Sequence, residues 1–374
     1  MRSRPFRVVN VAIDGRLMLY RRAGISLYTR RLVQAMAALQ DSEVHLTVLL
    51  DRRDADASWV PASVPILRTL TPAHHATEPL ALPVELAVLS LRKGPFQLVH
   101  FPDFIACRGS FRKVITIHDL YFMEHPEVMS PDAARYYGHI RASARRADHI
   151  IAVSHFTCQD AVRLMPEVAP DKISVIHEAA DLPASPDTSI TPTAPAINHT
   201  PYALFVGTFE PRKNLKTLLH ALALASPQIK LTVVGEAGWV DNEPARLAQD
   251  LGLQGRVSFA GRVSDAELDT LYQQARVFVF PSLSEGFGLP VLEAMSHGVP
   301  VICSDAGALP EVAGTAALLH PSTDAALLAQ HLNQFWFDEA LHKQYQQRSL
   351  QRATQFSWHT AAQETLGIYK RLCA

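Results

Sequence analysis

A chain of 374 residues is longer than one typical hydrophobic core accommodates and predicts two domains. Its composition is that of an ordinary globular protein, 48% hydrophobic and 19% charged, and its formal net charge of -1 excludes a general nucleic-acid binder, which needs a large basic excess. The four cysteines (Cys107, Cys158, Cys303 and Cys373) are scattered and form no CxxC pair, so they read as buried thiols of a reducing compartment and not as a disulfide framework or zinc site.

The N-terminal "MRSRPFRVVNVAIDG" has an apolar run too short and too polar for a signal peptide. No stretch approaches the roughly 20 apolar residues of a membrane span. A cytoplasmic location is expected. Along the chain, "FRVVNVAI" reads as a first strand, and a helix follows from Gly24 within "YRRAGISLYTRRLVQAM". Further strands are "VHLTVLL", "FQLVHF", "KVITIHD", "HIIAVS" and "ISVIHE", and after residue 201 "YALFVG", "IKLTVVG", "RVSFAG", "VFVFPS" and "VPVICS". Most are nearly continuous in apolar residues, as parallel strands buried on both faces require. Their alternation with helical stretches predicts a doubly wound α/β architecture.

Between the two series lies the Pro-, Ser- and Thr-rich "DLPASPDTSITPTAPAINHTP", residues 181–201. The expected division is a first domain over 1–181, a linker over 182–201, a second domain over 202–355 and a terminal helix over 356–374. That last helix, from "FSWHTAAQETLGIYKRL", either covers the second sheet or crosses back to the first domain; the crossing is the expectation taken forward.

Four segments carry candidate chemistry. In "SEGFGLPVLEAMSHGVPVI", Glu285 stands in a turn after a strand, Pro290 suits the first turn of the next helix, and Glu293 lies one turn inside it. Gly286 and Gly288 let the backbone approach a ligand, and helix-start amides receive anionic or hydroxyl oxygens. Carboxylates, as acceptors, suit sugar hydroxyls. Either glutamate taken alone is equally a solvated surface residue. In "FVGTFEPRKNLKTLLHAL", the cations Arg212 and Lys213 follow a strand and precede a helix, a placement suited to a diphosphate, although adjacent basic residues are commonly a solvated face. In "VITIHDLYFMEHPE", His118 and Asp119 follow a strand, where imidazole and carboxylate serve acid–base, orienting or purely structural roles. The spacing of His118 and His125 matches no metal-ligand pair. Gly24, at a helix start, offers its amide to phosphate. No GxGxxG fingerprint occurs, and no suitable acid is read at the end of the second strand, which weighs against a nicotinamide-dependent dehydrogenase.

Taken together, "GTFEPRKN", "TIHDL" and the run from "VSFAGRVSDAELDTLYQQARVFVFPS" through "LSEGFGLPVLEAMSHGVPVICSDAGALPEVAG" resemble the retaining GT-B glycosyltransferases of family 4. Glu285 and Glu293 occupy both acidic positions of that family's Glu-x7-Glu motif. The resemblance implies two Rossmann-like domains facing a cleft, with a nucleotide-sugar donor held by the second domain and most of the acceptor by the first. It implies Glu293 on the ribose hydroxyls, Glu285 on the donor sugar, and backbone amides of Phe287, Gly288 and Leu289 at sugar and diphosphate. It places Arg212 and Lys213 on the diphosphate with help from the Gly24 amide, His118 close to the sugar, and Arg262 and Val263 beside the base. No metal or other cofactor is implied, because cations and helix termini stabilise the departing charge. Two positions depart from the pattern: Thr208 stands where many relatives carry Arg, and "HEAAD" where Asn-Gly is common.

"DGRLMLYRRAGISLYTRRL" and "GTFEPRKN" are similar to the bacterial branch building cell-surface polysaccharides, which implies mannosyl transfer from GDP-mannose to a saccharide or lipid-linked saccharide; UDP-glucose and dTDP-rhamnose stay open. A sugar-nucleotide epimerase and a non-catalytic nucleotide-sugar sensor are the rival readings. Arg21, Arg22, Arg30 and Arg31, with Arg135, Arg141, Arg145 and Arg146, either attract an anionic membrane at the inner face of the cell or form solvated helix faces.

Overall fold

The computed structural model describes residues 8–19, 24–73, 75, 77–128, 131–181, 201–236 and 243–374. The proposed linker therefore lies almost wholly outside the described residues, as do Arg21 and Arg22. The chain divides into two compact units, Met1–Glu178 with Ser357–Ala374, and Ala179–Phe356.

In the first unit, β1 (Val9–Asp14), β2 (Val44–Asp51), β3 (Ile66–Thr69), β4 (Leu98–Phe101), β5 (Arg112–Ile117), β6 (His149–Ala152) and β7 (Ile173–Val175) form one sheet in the order β3-β2-β1-β4-β5-β6-β7. Every pairing is parallel. Successive side chains of a strand face opposite ways, so Val11 and Ile13 enter one apolar cluster while Ala12 enters the other. The first cluster is covered by helices Gly24–Leu39 and Trp358–Cys373; the second takes Leu82 and Leu86 from helix Glu78–Lys93.

The terminal helix Trp358–Cys373 thus packs in the first unit through Ala361, Ala362, Leu366 and Tyr369, and not on the second sheet. Its apolar face is pinned by a buried polar chain. Tyr369 Oη lies 2.6 Å from His100 Nδ1, and His100 Nε2 lies 2.9 Å from Thr116 Oγ1. Burial pushes the His100 pKa down to about 3, so this ring stays neutral and relays between two hydroxyls.

In the second unit, β8 (Tyr202–Val206), β9 (Lys230–Val234), β10 (Val257–Gly261), β11 (Val277–Phe280), β12 (Val301–Ser304) and β13 (Ala317–His320) form a parallel sheet ordered β10-β9-β8-β11-β12-β13. All eleven strands expected from the sequence are present. The two that the sequence reading passed over, β3 and β13, are four-residue edge strands whose "ILRT" and "ALLH" are half-polar or only partly buried. Edge strands lack the two-sided burial that makes their neighbours conspicuous. One reading is corrected: β2 does end on an acid, Asp51, but its buried carboxylate is held by Arg53 at 2.8 Å. Of the cysteines, Cys107 and Cys303 are buried, whereas Cys158 and Cys373 are only half-buried; all four are free thiols.

Strand order reverses between β8 and β11. Ligands of open α/β sheets bind outside the carboxyl ends of the strands at such a switch point. Both motif loops of the second unit leave the sheet there.

Candidate active site

The loop after β8 descends through Gly207 into a single turn, Pro211–Lys213, and reaches helix Leu215–Leu224 by way of Asn214. Asn214 adopts a left-handed backbone, φ 54°, a conformation that asparagine tolerates better than most residues. Its side-chain amide donates to the carbonyls of Pro281, at 2.9 Å, and Ser322, at 2.7 Å. The amide of Leu283 donates to the Arg212 carbonyl at 2.7 Å. These bonds tie the loop after β8 to the loop after β11 and fix where Arg212 and Lys213 point.

They point at Glu285. Arg212 Nη1 donates to Glu285 Oε2 at 2.8 Å and to the Ser284 carbonyl at 2.9 Å; Lys213 Nζ donates to Glu285 Oε1 at 2.7 Å. Glu210 stands 3.7 Å from Arg212, and the Lys213 ammonium sits 5.1 Å from the centre of the Phe280 ring. Glu285 is buried, with 6% of its surface exposed. Burial alone would favour the neutral acid, but Arg212 and then Lys213 overcome it and hold the carboxyl at about 2. For Lys213, burial and the nearby Arg212 lower the ammonium pKa against the pull of Glu285. Three residues read separately from two motifs thus form one ion cluster.

A second constraint on Glu285 comes from the loop after β12. The Ala308 amide donates to the Glu285 carbonyl at 2.8 Å, and a Cβ on Gly307 would lie 2.5 Å from both Glu285 N and O. Past Glu285, Phe287 is buried against Phe356, their rings 5.7 Å apart, and Gly288 caps helix Leu289–Ser296 with φ 105°. A side chain on Gly288 would meet Leu309 at 2.6 Å. Leu289 opens that helix, where backbone amides have no intrahelical acceptor. Glu293, one turn in and half-buried, accepts from Tyr272 Oη at 3.0 Å. Burial pushes its pKa up against that hydrogen bond. Tyr272 stacks on His297, which bonds the Glu293 carbonyl at 2.9 Å. Arg262 and Val263 follow directly on the positive-φ Gly261 at the end of β10, Arg262 exposed and Val263 half-buried.

In the first unit, Gly24 opens its helix in an exposed position where a Cβ would meet nothing within 4 Å. His118 has an acceptor on each ring nitrogen. Its Nδ1 lies 2.9 Å from Glu178 Oε1 and its Nε2 lies 2.9 Å from the Pro102 carbonyl. Both partners are acceptors, so both ring nitrogens carry protons and neither is a free base. Burial alone would lower its pKa, but the Glu178 carboxylate outweighs it and raises it above the usual histidine range. This favours an orienting or charge role over proton abstraction. Stability from a raised histidine pKa is fully present below the unfolded value, about 6.5, and is lost as pH rises through the folded one. Glu178→Gln is therefore expected to lower the melting midpoint more at pH 6 than at pH 9; an equal loss at both would refute the charged pair.

Glu178, Asn214, Tyr272 and Gly307 escaped the sequence reading. Each acts through a partner distant in the chain, and Asn214 alone gave a signal, an Asn closing a turn before a helix.

The family model described as glycosyl transferases group 1 matches residues 190–352, and that for Glycosyltransferase Family 4 matches residues 22–183. The O-antigen chain mannosyltransferase B of Escherichia coli is 35% identical over 292 residues, 76% of this chain and 76% of that protein. The serotype-specific mannosyltransferase WbdA of Escherichia coli is 28% identical over 70% of this chain, which spans only 34% of that protein. Among solved structures, sucrose-phosphate synthase from Thermosynechococcus elongatus superposes with a TM-score of 0.77 over 97% of this chain and 99% of its own, at 24% identity, a likeness of fold. With two Rossmann-like parallel sheets and these matches over both halves, the chain belongs to glycosyltransferase family 4 and is a hexosyltransferase of the GT-B fold.

Proposed function

We propose that the protein transfers mannose from GDP-mannose, with retention of configuration, to a saccharide or lipid-linked saccharide acceptor in cell-surface polysaccharide biosynthesis, at the cytoplasmic face of the membrane. The observation that carries the donor site is the convergence of Arg212 and Lys213 on Glu285 at the β8/β11 switch point. In this reading Arg212 and Lys213 take the donor diphosphate and stabilise its charge as it leaves. Glu285, ionised throughout the physiological range, turns to the sugar hydroxyls, and Glu293 accepts from the ribose. Phe287, Gly288 and Leu289 bring backbone to sugar and diphosphate, the Gly24 amide adds to the diphosphate, Arg262 and Val263 flank the base, and His118 adds fixed positive charge near the sugar. The mannosyl names of both relatives above support the choice of sugar.

A thermal-shift panel of GDP-, UDP- and dTDP-sugars tests the donor, since a ligand raises the midpoint according to its affinity. GDP-mannose is expected to give the largest shift; a larger one from a UDP- or dTDP-sugar overturns the choice. Transfer followed by NMR should give the retained anomer, and inversion would reject that mechanism. Release of free or epimerised sugar without any acceptor requirement would exclude a transferase of this kind. Glu293→Ala is expected to weaken donor binding about ten- to a hundredfold, the worth of a charge-assisted hydrogen bond; unchanged affinity in calorimetry would remove the ribose role. With cations in place of a metal, chelator should leave transfer intact, and inhibition reversed by a divalent ion would overturn that assignment.

A further inference from the structure

The carboxyl group of Glu293 is held from a different helix. Helix Asp265–Gln274 begins at Ser264, whose capping box with Glu267 fixes its first turn directly after Arg262 and Val263. Asp269 and Tyr272 stand three residues apart on it and so share one face. Tyr272 is 2% exposed, its ring 5.7 Å from that of Phe278 in β11 and 5.2 Å from that of His297. Burial raises the pKa of its phenol well above the ordinary value, so the hydroxyl keeps its proton and donates to Glu293 Oε2 at 3.0 Å.

His297 completes the clasp. Four residues after Glu293, it sets Nδ1 2.9 Å from the Glu293 carbonyl and Nε2 2.9 Å from Asp269 Oδ1. Its ring stacks on that of Tyr272 with an interplanar angle of 23°. Asp269 and Tyr272 on one helix thus interlock with Glu293 and His297 at the end of another. Only Oε2 of Glu293 is engaged, and Oε1 accepts no hydrogen bond among the described residues.

We propose that Tyr272 is the positioning residue for ribose recognition: by holding Glu293 Oε2 it presents Oε1 to the ribose hydroxyls of the donor. This rests on the reading of Glu293 as the ribose acceptor and names what aims it. A glutamate left to rotate would lose its rotamer freedom only on binding, at the expense of affinity; one clamped by Tyr272 has lost it already in folding. The clamp also aligns two contacts at once. The helix that carries Tyr272 starts beside Arg262 and Val263, so the base and ribose contacts are set by one rigid element.

Calorimetry of the full chain with GDP and 2′,3′-dideoxy-GDP, and with UDP and 2′,3′-dideoxy-UDP, tests this role, because each pair differs only in the ribose hydroxyls. The wild type is expected to prefer the ribonucleotide. Tyr272→Phe keeps the ring and its stacking, and should lower that preference about tenfold, the worth of a hydrogen bond to a charged group. Added to Glu293→Ala, it should weaken ribonucleotide binding no further, because the hydroxyl acts through the carboxylate. A fall in melting midpoint cannot imitate this result, since the preference compares two ligands on one folded protein. An unchanged preference in Tyr272→Phe, or a further loss in the double variant, overturns the positioning role and leaves Glu293 on the ribose. No preference for the ribonucleotide by the wild type in either pair overturns the ribose reading itself, and the role of Tyr272 with it.

Discussion

Lys213→Ala is expected to slow hexosyl transfer by about 10²- to 10³-fold, the usual cost of removing one preorganised group that faces developing charge. The ammonium lies 2.7 Å from Glu285 and is backed by the ring of Phe280, so its position is fixed before any ligand arrives. Alanine removes one of the two cations and leaves Glu285 to Arg212 alone. Part of the support holding the Glu285 carboxyl at about 2 is then gone. A depressed carboxyl pKa contributes stability above its unfolded value, lost as pH falls toward the folded one. The variant should therefore lose stability at a higher pH on acidification than the wild type. Steady-state kinetics should show the loss mainly in kcat if Lys213 acts on the leaving group, and mainly in KM if it only binds donor. Near-normal turnover would sink the assignment of Lys213 to the diphosphate. Lys213→Arg keeps the charge but exchanges a compact ammonium for a planar fork, and should recover only part of the rate.

Much of the second unit was open to reading because its strands are buried on both faces, so "YALFV", "VFVF" and "VICS" stand out as apolar runs ended by Gly, Pro or Ser. The motif loops followed from where those runs stop. Hidden from the sequence was what the polar groups do to each other. Each charged motif was taken to face a ligand, yet Glu285, Arg212 and Lys213 face one another, across 72 and 73 residues of chain. Asn214 reaches Ser322 across 108 residues, and His118 reaches Glu178 across 60. Such pairings are set by the sheet order, in which β8 lies beside β11 and only β6 separates β5 from β7, and no local spacing encodes them. Asp51 shows the converse: the acid at the end of β2, passed over in the sequence, has a partner only two residues away, Arg53.

Gly307→Ala is expected to cost about 3 kcal/mol of stability and to disable the site from outside the Glu-x7-Glu motif. Gly307 holds φ 63°, a left-handed backbone that disfavours alanine by about 1–2 kcal/mol. The greater obstacle is steric, since the new Cβ would lie 2.5 Å from the backbone N and O of Glu285. Backbone cannot rotate out of the way as a flexible side chain can. Either the loop after β12 or the Glu285 loop must move, and the Ala308 amide bond to the Glu285 carbonyl, 2.8 Å long, breaks or stretches with it. Displacement of Glu285 by an ångström misaligns its contacts with Arg212 and Lys213, an error that typically costs about 10²-fold in rate. Gly252→Ala supplies the control, because Gly252 has nearly the same backbone, φ 68°, with nothing within 4 Å of a new Cβ. Strain alone would lower the melting midpoint of both variants equally and leave transfer unchanged in each. A larger fall for Gly307→Ala, together with lost donor binding, isolates the contact with Glu285, whereas matching behaviour of the two variants would show that Gly307 shapes a turn and nothing more.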